Sequence, residues 1–253
     1  MKKGFLSLAM LFLIAITSFA EGRAKYVFYF IGDGMGVNQV NGTETYLAAL
    51  QGRIGVEPLL FTQFPAVGLV TTFSATNGVT DSAAAGTALS TGRKTKNSAL
   101  GMLADLQTPV TSVAVWAQQS GAAVGISTNV SVDHATPAAF YAHQPKRDLY
   151  YEIGKDLIKA DFDFYAGSDF RIPENKKDST ATGTLFERCE QAGYTIARSY
   201  KQFQKTSKQA KKFILLQLST PSNNDRTCLP YAIDRKPGDL TLQDITRAAI
   251  HFL

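Results

Sequence analysis

Tyr26-Val27-Phe28-Tyr29-Phe30-Ile31 runs directly into Gly32-Asp33-Gly34-Met35-Gly36. The apolar and aromatic run, with Val and Ile in it, reads as a buried β-strand, and the glycine-rich stretch as the tight loop at its carboxyl end. The chain continues in the same manner. Val67–Phe73 is a second β-rich run. Ala83–Leu89 is small and helix-compatible, and Val110–Ser120 reads as a helix ending at Gly121. Ala122–Ser127 then reads as a strand. Asp148–Ala160 carries Leu149, Ile153, Leu157 and Ala160 at helical spacing, and Phe162–Ala166 follows as a strand. Leu185–Gln191 reads as a helix stopped by Gly193, and Phe213–Leu218 as a buried strand. Strands alternating with helical segments predict an α/β fold, a mostly parallel sheet with helices on both faces.

Composition agrees with a packed domain. The chain has 253 residues, 45% of them hydrophobic and 19% charged, which excludes a disordered chain, a collagen-like repeat and a disulfide-dense miniprotein. A formal charge of +5, with no concentrated basic stretch, argues against nucleic acid as a specific partner. Lys205–Lys212 is the densest basic cluster and reads as a solvated helix face.

The first 20 residues read as a signal peptide. Lys2 and Lys3 precede an apolar run from Leu6 to Ile16, and Ser18-Phe19-Ala20 supplies a small-x-small cleavage site. The run is short for a bilayer span, which takes about 20 residues, and no later run is long enough. The expectation is an exported protein, periplasmic or extracellular, with residues 21–253 as its mature part and no membrane span after cleavage. In such a compartment Cys189 and Cys228 could pair, a bridge worth roughly 3–4 kcal/mol by loop closure; the alternative is two separate thiols. At the other end, Thr241-Leu242-Gln243-Asp244 starts a helix, with Leu242, Ile245, Ala249 and Leu253 at helical spacing and no stop signal after them. That ending reads as a chain cut just after a helix, a C-terminal truncation, or else as an apolar helix end at a natural terminus.

Three segments carry chemistry. Gly32–Gly36 fails as a dinucleotide fingerprint, because Val37 stands where the third glycine belongs. Asp33, an acid at the carboxyl end of a strand, suits a cation, or else an Asx turn. In Thr80-Asp81-Ser82-Ala83-Ala84, Ser82 falls where a loop becomes a helix of tiny residues. A helix N-terminus carries partial positive charge and unpaired N–H groups, so it can hold a phosphate and stabilise a serine alkoxide. Serine needs an activator, and a metal is the economical one here; the plain alternative is that Asp81 or Ser82 only caps the helix. In Asp133-His134-Ala135-Thr136-Pro137-Ala138, followed by His143 and Arg147, Arg147 has the planar fork that grips phosphate. Singly, Thr136-Pro137 is also a helix start, and His134 and His143 match no metal spacing.

Together these segments resemble the alkaline phosphatase family, through the Gly32–Gly36 loop, Thr80–Ala84, His134–Ala138 and the spacing of His143 and Arg147. The resemblance runs from about Lys25 to Ala160 and continues faintly beyond. It implies hydrolysis of small phosphate monoesters through a phosphoserine, with two zinc ions and one magnesium. By resemblance, Ser82 is the nucleophile and a zinc ligand, Asp33 bridges a zinc and the magnesium, Thr136 is a magnesium ligand and Arg147 clamps the phosphate. His134 stands where the family carries Asp or His and tunes the magnesium site. The family's remaining ligands, including every ligand of the other zinc, are missing from this chain. The expectation is therefore the N-terminal part of a single catalytic domain, with little or no turnover alone. Homodimers are common in the family. A related phosphodiesterase or sulfatase is the nearest alternative, although Cys228-Leu229-Pro230-Tyr231-Ala232 departs from the sulfatase C-x-P-x-R segment at Ala232. A non-catalytic phosphate- or metal-binding fragment is the other.

Overall fold

A computed structural model describes residues 24–175, 183–217 and 228–253. The signal-peptide assignment therefore lies outside the described residues. The described residues fall into two compact units, one ending at Phe64 and the other beginning at Pro65.

In the first unit the Gly32–Met35 turn closes through the Met35 N–H to the Gly32 carbonyl, at 3.2 Å. Gly34 sits at φ +67°, a conformation that favours glycine. Helix α1, Val37–Leu50, follows. A 3₁₀ turn at Leu60–Gln63 is tied back to α1 by Glu44, whose carboxylate accepts the Leu59 N–H and the Thr62 hydroxyl, both at 2.8 Å. The run from Tyr26 to Ile31, expected to be a buried strand, takes part in no strand and is largely exposed. Val67–Phe73, in the second unit, likewise forms no strand, with Val67 and Leu69 fully exposed. A strand exists only through the ladder it shares with a neighbour, and Val67–Phe73 pairs with none of the four strands of its unit described below.

The second unit holds the sheet. Its elements are α2 (Ser82–Thr91), α3 (Val113–Gln119), β1 (Gly125–Ser127), the short turn of helix α4 (Ala135–Ala138), α5 (Tyr150–Ala160), β2 (Phe164–Gly167), α6 (Leu185–Gln191), β3 (Tyr194–Ala197), α7 (Tyr200–Thr206), β4 (Lys212–Leu216) and α8 (Leu242–Phe252). The order across the sheet is β1-β2-β4-β3 and every pairing is parallel, with Tyr165 opposite Ile214 and Phe213 opposite Thr195.

Side-chain alternation along β2 divides the core between the two faces. Phe164 and Ala166 join Phe203 of α7, Phe213 and Leu215 of β4, and Ile245 and Ala248 of α8. Phe203 and Phe213 meet edge to face with centroids 5.0 Å apart. Tyr165, between Phe164 and Ala166 in sequence, faces the other way: its ring meets Tyr141 at 5.6 Å and its hydroxyl donates to the Leu157 carbonyl of α5 at 3.2 Å. Helices therefore cover both faces, as the alternation predicts.

Helix boundaries follow their caps. Thr184 and Glu187 form a capping box at α6, and Thr241 and Asp244 form one at α8. The Lys205–Lys212 cluster is only partly helical. It leaves α7 at Thr206, passes through a 3₁₀ turn and ends in β4, where Lys212 pairs with Asp161. Cys189 and Cys228 are both free thiols. Cys189 is buried in α6, where loss of solvent pushes its thiol up to about 12. Cys228 is half-buried, in a bridge opposite Val130.

Candidate active site

Helix α2 begins at Ser82, with Asp81 as its N-cap. The Asp81 Oδ1 accepts the Ala84 N–H at 2.9 Å, satisfying one of the amide donors that a helix start leaves unpaired. The N–H groups of Ser82 and Ala83 belong to the same unpaired first turn, and they lie beside the Ser82 hydroxyl at the positive end of the helix dipole. Gly92, at φ +70°, closes the helix at its other end.

Gly86 sets how closely this helix approaches α4. A Cβ there would stand 2.9 Å from the Ala139 Cβ, 3.5 Å from the Thr136 carbonyl oxygen and 3.7 Å from the Thr136 Cα. The Ser90 hydroxyl, one turn further on, donates to the Ala139 carbonyl at 2.7 Å. The run of small residues in α2 thus brings the Ser82 helix against the backbone that carries Thr136.

Arg147 completes the group. Its Nη1 donates to Asp81 Oδ2 at 3.2 Å, and its Nη2 lies 3.5 Å from His134 Nε2. The pair is half-buried, with 22% of the Arg147 side chain and 24% of the Asp81 side chain exposed. Ser82, His134, Thr136 and Arg147 are therefore gathered in one half-open region of the second unit. Asp33 lies in the first unit, exposed, in the turn before α1. His143 uses Nδ1 against the Gly101 carbonyl at 2.7 Å, and its N–H donates to Asp156.

Sequence reasoning missed the role of Asp81 in holding Arg147. A capping acid is indistinguishable in sequence from one that also grips an arginine 66 positions away. It also passed over Asp133, which is fully buried and accepts the Arg171 N–H at 2.9 Å. Burial pushes that carboxyl up to about 6, against the hydrogen bonds that favour its ionised form.

The donors in the second unit are two hydroxyls, Ser82 and Thr136, with one imidazole, His134. Hydroxyl oxygens suit a hard cation such as magnesium, which keeps several waters of its own. Zinc takes three or four nitrogen, sulfur or carboxylate ligands, and among the described residues no three His, Cys, Asp or Glu side chains gather. Among the described residues, then, no zinc set is closed, and the Thr136 hydroxyl is of the donor type that magnesium accepts.

The chain is similar to proteins of known structure and function. The alkaline phosphatase of the Antarctic bacterium TAB5 superposes with a TM-score of 0.74 at 30% identity, covering 88% of this chain and 59% of that one. A mutant of that enzyme with magnesium bound superposes with a TM-score of 0.73 at 29% identity, over 88% of this chain and 58% of that one. Among curated proteins, the tissue-nonspecific alkaline phosphatase of Gallus gallus is 40% identical over 140 residues, 51% of this chain and 27% of that protein. The human tissue-nonspecific isozyme is 30% identical over 214 residues, 71% of this chain and 40% of its own length. The chain thus spans well under half of these curated relatives. The alkaline phosphatase family itself matches over residues 24–253, and the chain belongs to that family.

Proposed function

We propose that this chain contributes the nucleophile and the phosphate grip of a metal-dependent phosphomonoesterase. One observation carries the reading: Ser82 opens a ten-residue helix whose capping acid, Asp81, is also the ion-pair partner of Arg147. A phosphate at this helix start meets the first-turn N–H groups, the Ser82 oxygen and the Arg147 fork together. Phosphoryl transfer depends on such positioning and charge neutralisation. Attack by the Ser82 oxygen on phosphorus forms one P–O bond as the bond to the departing alcohol breaks. Water then releases inorganic phosphate and returns the serine.

Metal ions, two zinc and one magnesium on this reading, supply Lewis acidity and a water of lowered pKa. Thr136 would be a ligand of magnesium, with His134 tuning that site, and Ser82 a ligand of one zinc; Asp33, which lies in the other unit, would serve both metals on the family resemblance alone. The described residues do not close a zinc centre, so the 253-residue chain alone is expected to bind phosphate and turn over little. The reading includes residues 21–253 as the N-terminal part of a single catalytic domain, export to the periplasm or beyond, and small phosphate monoesters as substrates. No helix among the described residues is long and apolar enough to cross a membrane.

The test is calorimetry with inorganic phosphate, run beside a phosphate monoester, a diester and a sulfate ester with zinc and magnesium added. Phosphate should bind, and Arg147→Ala should weaken it about tenfold or more, the worth of one charge-assisted hydrogen bond. Failure of Arg147→Ala to weaken binding overturns the site. Robust monoester hydrolysis, lost in Ser82→Ala, overturns the expectation of a chain inactive by itself. Preference for the diester or the sulfate overturns the substrate class.

A further inference from the structure

Asn97 and Ser98 belong to neither α2 nor the Arg147 loop, yet they touch what supports both. Ser98 has a left-handed backbone at φ +77°, a conformation that non-glycine residues hold only when their surroundings impose it. Its N–H donates to Asp81 Oδ2 at 3.0 Å, the oxygen that also accepts Arg147 Nη1 at 3.2 Å. The other carboxylate oxygen accepts the Ala84 N–H at 2.9 Å. Backbone donors on both oxygens fix the rotation of the carboxylate, and so fix where the guanidinium must sit.

The same turn reaches the Ser82 loop. Asn97 Nδ2 donates to the Val79 carbonyl at 3.0 Å. Beyond it, Leu100 exchanges two backbone hydrogen bonds with Gln144, at 2.9 and 3.0 Å, three residues before Arg147. The Thr87 hydroxyl of α2 accepts the Gly101 N–H at 3.0 Å. Residues 97–101 therefore join the start of α2, its middle and the Arg147 loop.

We infer that the Asn97-Ser98 turn positions Arg147 for phosphate, by holding the Asp81 carboxylate through the Ser98 N–H in its left-handed conformation. This deepens the phosphate-site reading and rests on it. Ser98 and Asn97 are positioning residues, because they act on the ligand only through Asp81 and Arg147.

The test is a double-mutant cycle read by calorimetry with inorganic phosphate. Ser98→Val places a β-branched residue where φ must be positive and drives the turn out of that conformation. Its phosphate Kd should rise about tenfold, the loss expected when one charge-assisted hydrogen bond is no longer held in place. The conservative Ser98→Gly keeps the N–H and suits the φ, so it should bind within about twofold of wild type and unfold at an equal or higher urea concentration. In an Arg147→Ala background, Ser98→Val should change the Kd less than about twofold, because the two act as one unit.

Wild-type affinity in folded Ser98→Val, or its full effect persisting without Arg147, overturns the inference and leaves the phosphate site standing. Wild-type chain that binds no phosphate, or binds it equally without Arg147, overturns both. If Ser98→Val does not fold, amide exchange on the wild type decides. Saturating phosphate should slow exchange at Ser98, and Arg147→Ala should abolish that protection. Unchanged exchange overturns the inference.

Discussion

Gly86→Ala is the sharpest test of how α2 meets the Thr136 turn. Helix propensity alone favours alanine in a helix interior by about 1 kcal/mol. The structure predicts the opposite sign. The new methyl would stand 2.9 Å from the Ala139 Cβ, where carbon atoms settle at about 3.5–4.0 Å. The surfaces must therefore separate by roughly 0.6–1 Å along that line. The separation also stretches the 2.7 Å bond from the Ser90 hydroxyl to the Ala139 carbonyl, worth about 1 kcal/mol. Overpacking costs about 1–3 kcal/mol. Set against the propensity gain, the net is a loss of about 1–3 kcal/mol. Ser82 sits one turn before Gly86 on the same helix, so it retreats from Thr136 as well. A displacement approaching 1 Å costs up to about a hundredfold in a reaction that depends on alignment. Urea unfolding reads the first effect, and single-turnover phosphoryl transfer to Ser82 with metals supplied reads the second. A variant stabilised by about 1 kcal/mol, with transfer unchanged, would refute the tight helix–turn contact.

Gly101→Ala should be more damaging: Gly101 has φ +56° and its Cβ would lie 2.1 Å from the Ala142 carbonyl oxygen, so a loss of about 3 kcal/mol or more is expected by thermal or urea unfolding. Phe203→Ala removes a ring packed among Phe164, Phe213 and Tyr200 and should cost about 3–5 kcal/mol by the same measurement. In the native chain a maleimide should label Cys228 and leave Cys189 unmodified until denaturant is added, as mass spectrometry of the peptides would show. The Cys189 thiol also gives a pH dependence. Its folded value, about 12, lies above the ordinary 9.0, so the folded state holds the proton more tightly. The resulting stability is fully present below about pH 9 and is lost as pH rises toward 12, up to about 4 kcal/mol at 1.36 kcal/mol per unit. Cys189→Ala should flatten that alkaline decline while lowering stability at neutral pH.

Local pattern decided much of this protein. Small residues from Ala83 onward, an acid before Ser82 and glycine at 92 make α2 a helix with a definite start and stop, because caps act within a few residues. Apolar spacing did the same for α5. The strands at Phe164–Gly167 and Lys212–Leu216 were largely legible, because continuous apolar runs suit a sheet covered on both faces; Leu218, the last residue of the second expected run, lies outside the described residues. By contrast β3, Tyr194–Ala197, escaped notice, being four residues with a polar threonine among them. Tyr26–Ile31 has the stronger strand pattern and forms none. The physical reason is shared: a strand is completed by hydrogen bonds to another segment, and a sequence does not name its neighbour. The candidate site divides along the same line. Ser82, His134, Thr136 and Arg147 were legible as residue types in order, and Ser82 at a helix start followed from the cap. Only the tertiary structure decided that Asp81 spans 66 positions to hold Arg147, that Gly86 brings α2 against the Thr136 backbone, and that Ser98 takes a left-handed turn to reach Asp81. Those are contacts between distant segments, and they arise only when the sheet and its connections bring the segments together.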